Sequence, residues 1–271
     1  MSDPENDDLV TEVISGPIAT LTLNRPRARN ALSTEMRAVL ERRVLALTGS
    51  PEIRVVLVAA AGTAFCAGGD IREMSSRLQA DPGTVGLTGW RRQLTTHRFL
   101  TSLHSIDKVT IAAVNGPAMG LGFDLALACD FIVASPEALF SMSYVRRGLI
   151  PDGGGLYFLP RRVGLAKAKE LIFSGRDIDV QEASRLGIVD VLATGDLLAE
   201  ATSFAGQFVD SSPAAIGMAK SIIDRTFESS IEEVFALGST ALSVCYTTQA
   251  HRDAVTAFLN GSGRSKPVVQ T

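Results

Sequence analysis

The sequence predicts an α/β (α+β) chain: a body that mixes strands and helices, followed by a region of helices alone. Three observations carry this. Short apolar runs, some valine-rich and some alternating with period two, recur between helical patterns as far as residue 196. Three glycine-rich stretches, Gly68-Gly69, Gly116 to Gly122 and Gly153 to Gly155, each follow an extended run and precede a helical pattern, which is a site-forming arrangement. From Leu197 onward the pattern is helix after helix. The expected division is therefore residues 1–196, a core carrying the site, and residues 197–271, a helical C-terminal region.

Taken in order, Val10 to Ile14 and Ala19 to Leu23 flank Gly16-Pro17 and predict a hairpin. Ser33 is a helix N-cap, and Met36, Val39, Leu40, Val44 and Leu47 then trace one helical face. Ile53 to Ala60 is almost wholly apolar, as a strand buried on both faces requires. Ser75 to Gly89 is mixed and polar and predicts helix fragments and loop, with a longer helix over Trp90 to Ser105.

The stretch around which the chain is organised follows. The apolar run Val109 to Val114 meets Asn115-Gly116-Pro117, and Gly120-Leu121-Gly122 then opens a helix through Leu125, Leu127 and Ala128. A strand, a sharp turn and a glycine-flanked helix start gather unpaired N–H groups and the positive end of a helix dipole at one point, so something negative belongs there. Asn115 is expected to bond its own turn. Beyond it come a strand over Asp130 to Ala134, an extended segment over Phe140 to Arg147, and helices over Lys167 to Phe173 and Gln181 to Leu186. Ser212-Pro213 reads as a cap with proline in the first turn, and Ser230 to Glu233 as a capping box. Phe204, Phe208, Val234, Leu237 and Leu242 leave the helical region with apolar faces that need a partner surface.

The bulk numbers exclude several function classes. A net charge of -3 provides no basic footprint for nucleic acid and argues against anionic membranes. Three scattered cysteines and three scattered histidines suggest neither a disulfide framework nor a metal site. Met1 to Asp8 is acidic and lacks the apolar core of a signal peptide, so a cytoplasmic, metal-free chain is expected.

Four blocks together resemble the enoyl-CoA hydratase/isomerase, or crotonase, superfamily. They are Asn24-Arg25-Pro26 with Asn30-Ala31-Leu32; Ala64 to Ile71; Ala113 to Gly122 with Asp130 beyond; and Gly148 to Gly155 followed by Leu159-Pro160. Ala257-Phe258-Leu259 resembles the family's C-terminal helix. The resemblance spans residues 10 to 260 and implies a crotonase-like spiral of ββα turns with a helical C-terminal trimerisation region. It also implies an acyl-CoA thioester as substrate, with coenzyme A as part of that substrate and no separate cofactor, and a homotrimer or dimer of trimers.

Carried over residue by residue, the resemblance implies an oxyanion hole formed by the backbone N–H groups of Ala67 and Leu121. It places Arg27, Ala28, Gly68, Gly69, Asp70, Ile71 and Tyr144 at the substrate. Family hydratases hold water between two carboxylates; the first matches Asp124, but the second falls at Tyr144, a poor base at neutral pH. Family isomerases carry a catalytic aspartate at the position of Asp152. A single aspartate that removes a proton and returns it elsewhere suffices to move a C=C bond. The favoured expectation is therefore double-bond isomerisation of an unsaturated acyl-CoA with Asp152 as acid/base. A hydratase using Asp124 and a noncatalytic acyl-CoA-binding subunit are the alternatives. Against these stand plainer roles: Asp152 as a turn residue, Asp124 as a first-turn acid, Tyr144 as pocket wall and Cys66 as buried filler.

Overall fold

The structure, a computed structural model, describes residues 9–77 and 80–260. Strands β1 (Val10–Ser15) and β2 (Ile18–Leu23) pair antiparallel with Ile14 opposite Ala19, giving the expected hairpin. Helix α1 (Thr34–Thr48) starts where Ser33 Oγ accepts from Met36 N, and it buries Met36, Val39, Leu40, Val44 and Leu47. Strand β3 (Val55–Ala60) runs parallel to β2. Helices α2 (Ile71–Arg77) and α3 (Pro82–Ser105) follow, then β4 (Val109–Val114), β5 (Pro117–Met119) and α4 (Leu121–Leu127). Next come β6 (Phe131–Ala134), β7 (Leu139–Ser141), α5 (Gly155–Ser174, broken at Gly164), β8 (Ile178–Asp179), α6 (Val180–Arg185), β9 (Val191–Leu192) and α7 (Leu197–Ala205).

The larger sheet has the order β1-β2-β3-β4-β6-β9 and is parallel from β2 onward; the smaller has the order β5-β7-β8. All of β4 is buried, as its uninterrupted apolar run requires. The chain leaves β4 in the large sheet and joins the small one at β5 two residues later, so the turn at Asn115-Gly116 lies where the two sheets part. Helix α4 begins directly after β5. The site is built at this seam.

Three expectations need correction. Helix α3 begins at Pro82, capped by Asp81 Oδ2 accepting from Thr84 N, so the polar stretch read as fragments is largely the first half of one long helix. Proline in the first turn and an aspartate cap outweigh the three glycines that follow. The segment Ser143–Arg147 is a 3₁₀ turn, and only Leu139–Ser141 is extended. Asn115 bonds the loop after β3, donating through Nδ2 to the carbonyls of Ala60 and Gly62, rather than its own turn.

From Leu197 onward the described elements are all helices, and the chain separates into compact units after Val209. Helix α7 belongs to the first unit because Phe204 and Phe208 pack on Phe131 of β6, with ring centroids 5.4 and 5.2 Å away. Those two phenylalanines therefore find their partner within their own unit. In the second unit, α8 (Pro213–Ile223), α9 (Ile231–Thr247) and α10 (Gln249–Leu259) carry the caps read from sequence: Ser212 at α8, and a full Ser230/Glu233 capping box at α9. Phe227, Ile231, Phe235, Phe258 and Leu259 of this unit are all more than 60% exposed.

Candidate active site

Two loops meet backbone to backbone. Cys66 N donates to the Pro117 carbonyl at 3.1 Å, and Met119 N donates to the Cys66 carbonyl at 2.9 Å. The approach requires glycine. Gly68 has φ +100°, and a Cβ there would sit 2.7 Å from the Met119 carbonyl oxygen, while a Cβ on Gly122 would lie 2.2 Å from the Cys66 carbonyl oxygen. Packed inside this junction, Cys66 is fully buried, and burial pushes its thiol up to about 12, which suits a filler and not a nucleophile.

The junction decides which amides are available. Ala67 N donates to the Arg29 carbonyl at 2.9 Å, so the expected donor is already committed. The N–H groups of Gly69 and Leu121 have no hydrogen-bond partner among the described residues. Leu121 opens α4, where the first amides of a helix lack intrahelical acceptors. Of the two amides expected as donors, that of Leu121 is free and that of Ala67 is bonded; the free amide on the neighbouring loop is that of Gly69.

Gly69 and Leu121 together line two adjoining cavities. One, of about 400 Å³, is bounded by Ala28, Ala67, Gly68, Asp70, Ile71 and Tyr144, among others. Arg27 is exposed and does not reach it; Arg72 and Arg147 supply cationic walls instead. Asp70 is tied to Arg25 at 3.0 Å. Burial works to raise its pKa, but the Arg72 N–H and the Arg25 guanidinium hold it below the ordinary carboxylate range. It is a structural clamp beneath the cavity. The second cavity, of about 310 Å³, adds Arg37, Arg92, Gln93, Thr96, Ile150 and Asp152.

The two candidate carboxylates differ. Asp124 is fully buried in α4 and lines neither cavity. Tyr144 lines both and donates its hydroxyl to Asp124 Oδ2. Gly153 and Gly155 press on the same carboxyl, where a Cβ would come within 2.4 Å of Oδ2 and 2.6 Å of Oδ1 respectively. Their amides favour its charged form without an ordinary hydrogen bond to Oδ1, which has no partner. Burial dominates and, with the Asp152 charge, pushes Asp124 up to about 7. Burial and the Asp124 carboxylate together push the Tyr144 phenol well above its ordinary value, so it stays protonated. Asp124 is therefore no simple first-turn acid, and Tyr144 screens it from the cavity.

Asp152 sits on the loop before α5 and faces the second cavity directly. Its carbonyl accepts from His97 Nε2 at 2.9 Å, which pins the loop to α3. Partial burial raises its carboxyl above the usual range, opposed by its own backbone N–H and by the charges of Arg92, His97 and Arg37. A half-buried carboxyl beside two unpaired amides can take a proton from a bound molecule and give it back.

A family model for enoyl-CoA hydratase/isomerase matches residues 14–264. The chain belongs to the enoyl-CoA hydratase/isomerase family. It is 33% identical to the short-chain-enoyl-CoA hydratase of Clostridium acetobutylicum over 90% of this chain and 92% of that one. It is 36% identical to the carnitinyl-CoA dehydratase of Salmonella enteritidis over 81% of each. A solved enoyl-CoA hydratase/isomerase from Cupriavidus metallidurans superposes with a TM-score of 0.88 at 32% identity, covering 97% of this chain and 98% of that one. The crotonase fold and an acyl-CoA-processing enzyme of this family follow from these matches.

Sequence reading missed Gly69 as a donor, Arg92 and Arg37 as cavity walls, and the His97 contact. Gly69 stood in the right motif, two residues from the position named. Arg92 and Gln93 lie inside the helix expected over Trp90 to Ser105, but a helical pattern alone does not say which loops its polar side chains meet. Among the described residues no group of three or more His, Cys, Asp or Glu side chains could hold a metal ion, and no helix is long and apolar enough to cross a membrane.

Proposed function

We propose that this family member moves a carbon–carbon double bond within an unsaturated acyl-CoA, with Asp152 as the acid/base. The observation that supports the reading is the second cavity, which Asp152 lines together with Gly69 and Leu121, whose amides are free. The thioester oxygen accepts from both amides. Asp152 removes a proton from C2 of a 3-enoyl thioester, the charge passes to the thioester oxygen as a dienolate, and the same carboxyl returns the proton at C4 to leave the 2-enoyl thioester. Two preorganised N–H donors make that charge tolerable; loss of one such donor in an acyl-transfer enzyme costs about 3–4 kcal/mol. Coenzyme A is part of the substrate, so no separate cofactor is proposed, and Arg72 and Arg147 at the first cavity suit its phosphates.

The alternative is hydration of a 2-enoyl-CoA using Asp124. The names of several relatives and the raised pKa of Asp124 favour it, while the phenol of Tyr144 between that carboxyl and the cavity opposes it. Chromatography of products from matched 2-enoyl- and 3-enoyl-CoA separates the readings. Interconversion of the two without a 3-hydroxyacyl product supports the isomerase; rapid water addition that survives Asp152→Ala overturns it. We further propose a homotrimer or dimer of trimers, supported by the exposed Phe227, Ile231, Phe235, Phe258 and Leu259. A cytoplasmic location is supported by three free cysteines, two of them buried.

A further inference from the structure

The second cavity is lined by charged and polar side chains as well as by Met74, Leu121, Leu149 and Ile150. Arg37, Arg92, Gln93, Thr96, Tyr144 and Asp152 make up more than half of its lining residues. Most of that polarity is already satisfied. Arg37, 2% exposed, donates to the Ser33 carbonyl at 3.1 Å and to Thr96 Oγ1 at 2.7 Å, and pairs with Glu73 at 3.0 Å. Thr96 Oγ1 also donates to the Arg92 carbonyl at 3.2 Å. Tyr144 is held by Asp124.

Arg92 is different. Its guanidinium makes no hydrogen bond and no ion pair within 4.0 Å among the described residues, and its Nε is buried with no partner. Gln93, next to it on α3, forms no side-chain hydrogen bond with a described residue either. The charge of Arg92 is felt by Asp152, but no ion pair within 4.0 Å joins the two, and Asp152 must hold a proton during part of any turnover. At that stage nothing on the wall balances the arginine. A buried donor left without an acceptor is costly, and a guanidinium is shaped to receive a carboxylate through two parallel bonds.

We propose that the acyl group of the substrate carries an anionic carboxylate, so that the ligand is a monothioester of coenzyme A with a dicarboxylic acid, read by Arg92 with Gln93 beside it. This rests on the acyl-CoA reading of the site and narrows it. An alkyl tail in the same place would strip water from Arg92 and return no acceptor, so the site selects against plain fatty acyl chains as well as for the anion.

Equilibrium binding of freshly prepared saturated thioesters, which have no double bond to move, tests this without isomerisation. Succinyl-, glutaryl- and adipyl-CoA are compared by calorimetry with the alkyl thioesters of equal carbon number and with the methyl esters of the same diacids. At least one diacid thioester is expected to bind about ten-fold or more tightly than both neutral counterparts. Arg92→Met should erase that preference while leaving alkyl thioester affinity within about three-fold, and Arg92→Lys should restore part of it. Retention of the other affinities reports that the variants are folded. Equal affinity for diacid and alkyl thioesters, or a methyl ester that binds as tightly as its free acid, would overturn the anion claim and leave the isomerase reading in place. Failure of every thioester to bind would overturn the acyl-CoA reading and this inference with it.

Discussion

Asp124 and Asp152 are the same residue type, placed close enough for Asp124 to feel the Asp152 charge, yet their surroundings give them opposite characters. Asp124 is walled in by α4, the Gly153 and Gly155 backbone and the Tyr144 hydroxyl, and it meets no cavity. Asp152 stands on a loop and lines the second cavity. Both are raised by burial, but only Asp152 borders a cavity. Burial perturbs a carboxyl; access lets it act. The resemblance implies two carboxylates at the water in hydratases; here the second falls at the phenol of Tyr144, which lines both cavities and donates to the first.

The largest expected effect breaks the comparison at its active end: Asp152→Asn should lower isomerisation by about 10²–10⁴-fold, the usual worth of a positioned acid/base, with thioester affinity retained. Leu121→Pro removes one donor while keeping a residue tolerated in the first turn of a helix. A fall of about 10²–10³ in kcat is expected, against a small change in a Leu121→Ala control, since the latter keeps the N–H. Equal losses in both variants would mean that the side chain, and not the amide, matters.

The buried end is sharpened by pH. Because folding raises Asp124 from 3.8 to about 7, the folded chain holds that proton more tightly than the unfolded chain. The resulting stability is full below about pH 4 and is lost as pH rises through about 7, up to roughly 4 kcal/mol as a ceiling. Denaturant melts of Asp124→Asn should show a flatter profile over that window, and a profile parallel to wild type would remove Asp124 as its cause. Smaller again, Gly153→Ala forces a Cβ against Asp124 and Leu121 and should cost about 1–3 kcal/mol, measured by urea denaturation. Smallest is Ser230→Ala, expected to cost the second unit about 1 kcal/mol through loss of the capping box.

Local chemistry was legible in the sequence and long-range geometry was not. The hairpin, the caps at Ser33, Ser212 and Ser230, and the glycines at the loop junction announce themselves through turn and capping preferences that act within a few residues. Which amide of Ala67-Gly68-Gly69 is free depends on the left-handed Gly68 and on a bond to Arg29, thirty-eight residues away in the chain. Likewise Tyr144 is brought to Asp124 by a 3₁₀ turn that alternating residues had disguised as a strand. The Phe131 contacts that keep α7 with the first unit link segments more than seventy residues apart, beyond any periodicity.

The most direct measurement is deuterium uptake from heavy water into an unsaturated acyl-CoA, followed by mass spectrometry for wild type, Asp152→Ala and Asp124→Asn side by side. The account predicts that uptake collapses in Asp152→Ala and survives in Asp124→Asn within about ten-fold. Uptake that persists without Asp152 and vanishes without Asp124 would contradict it.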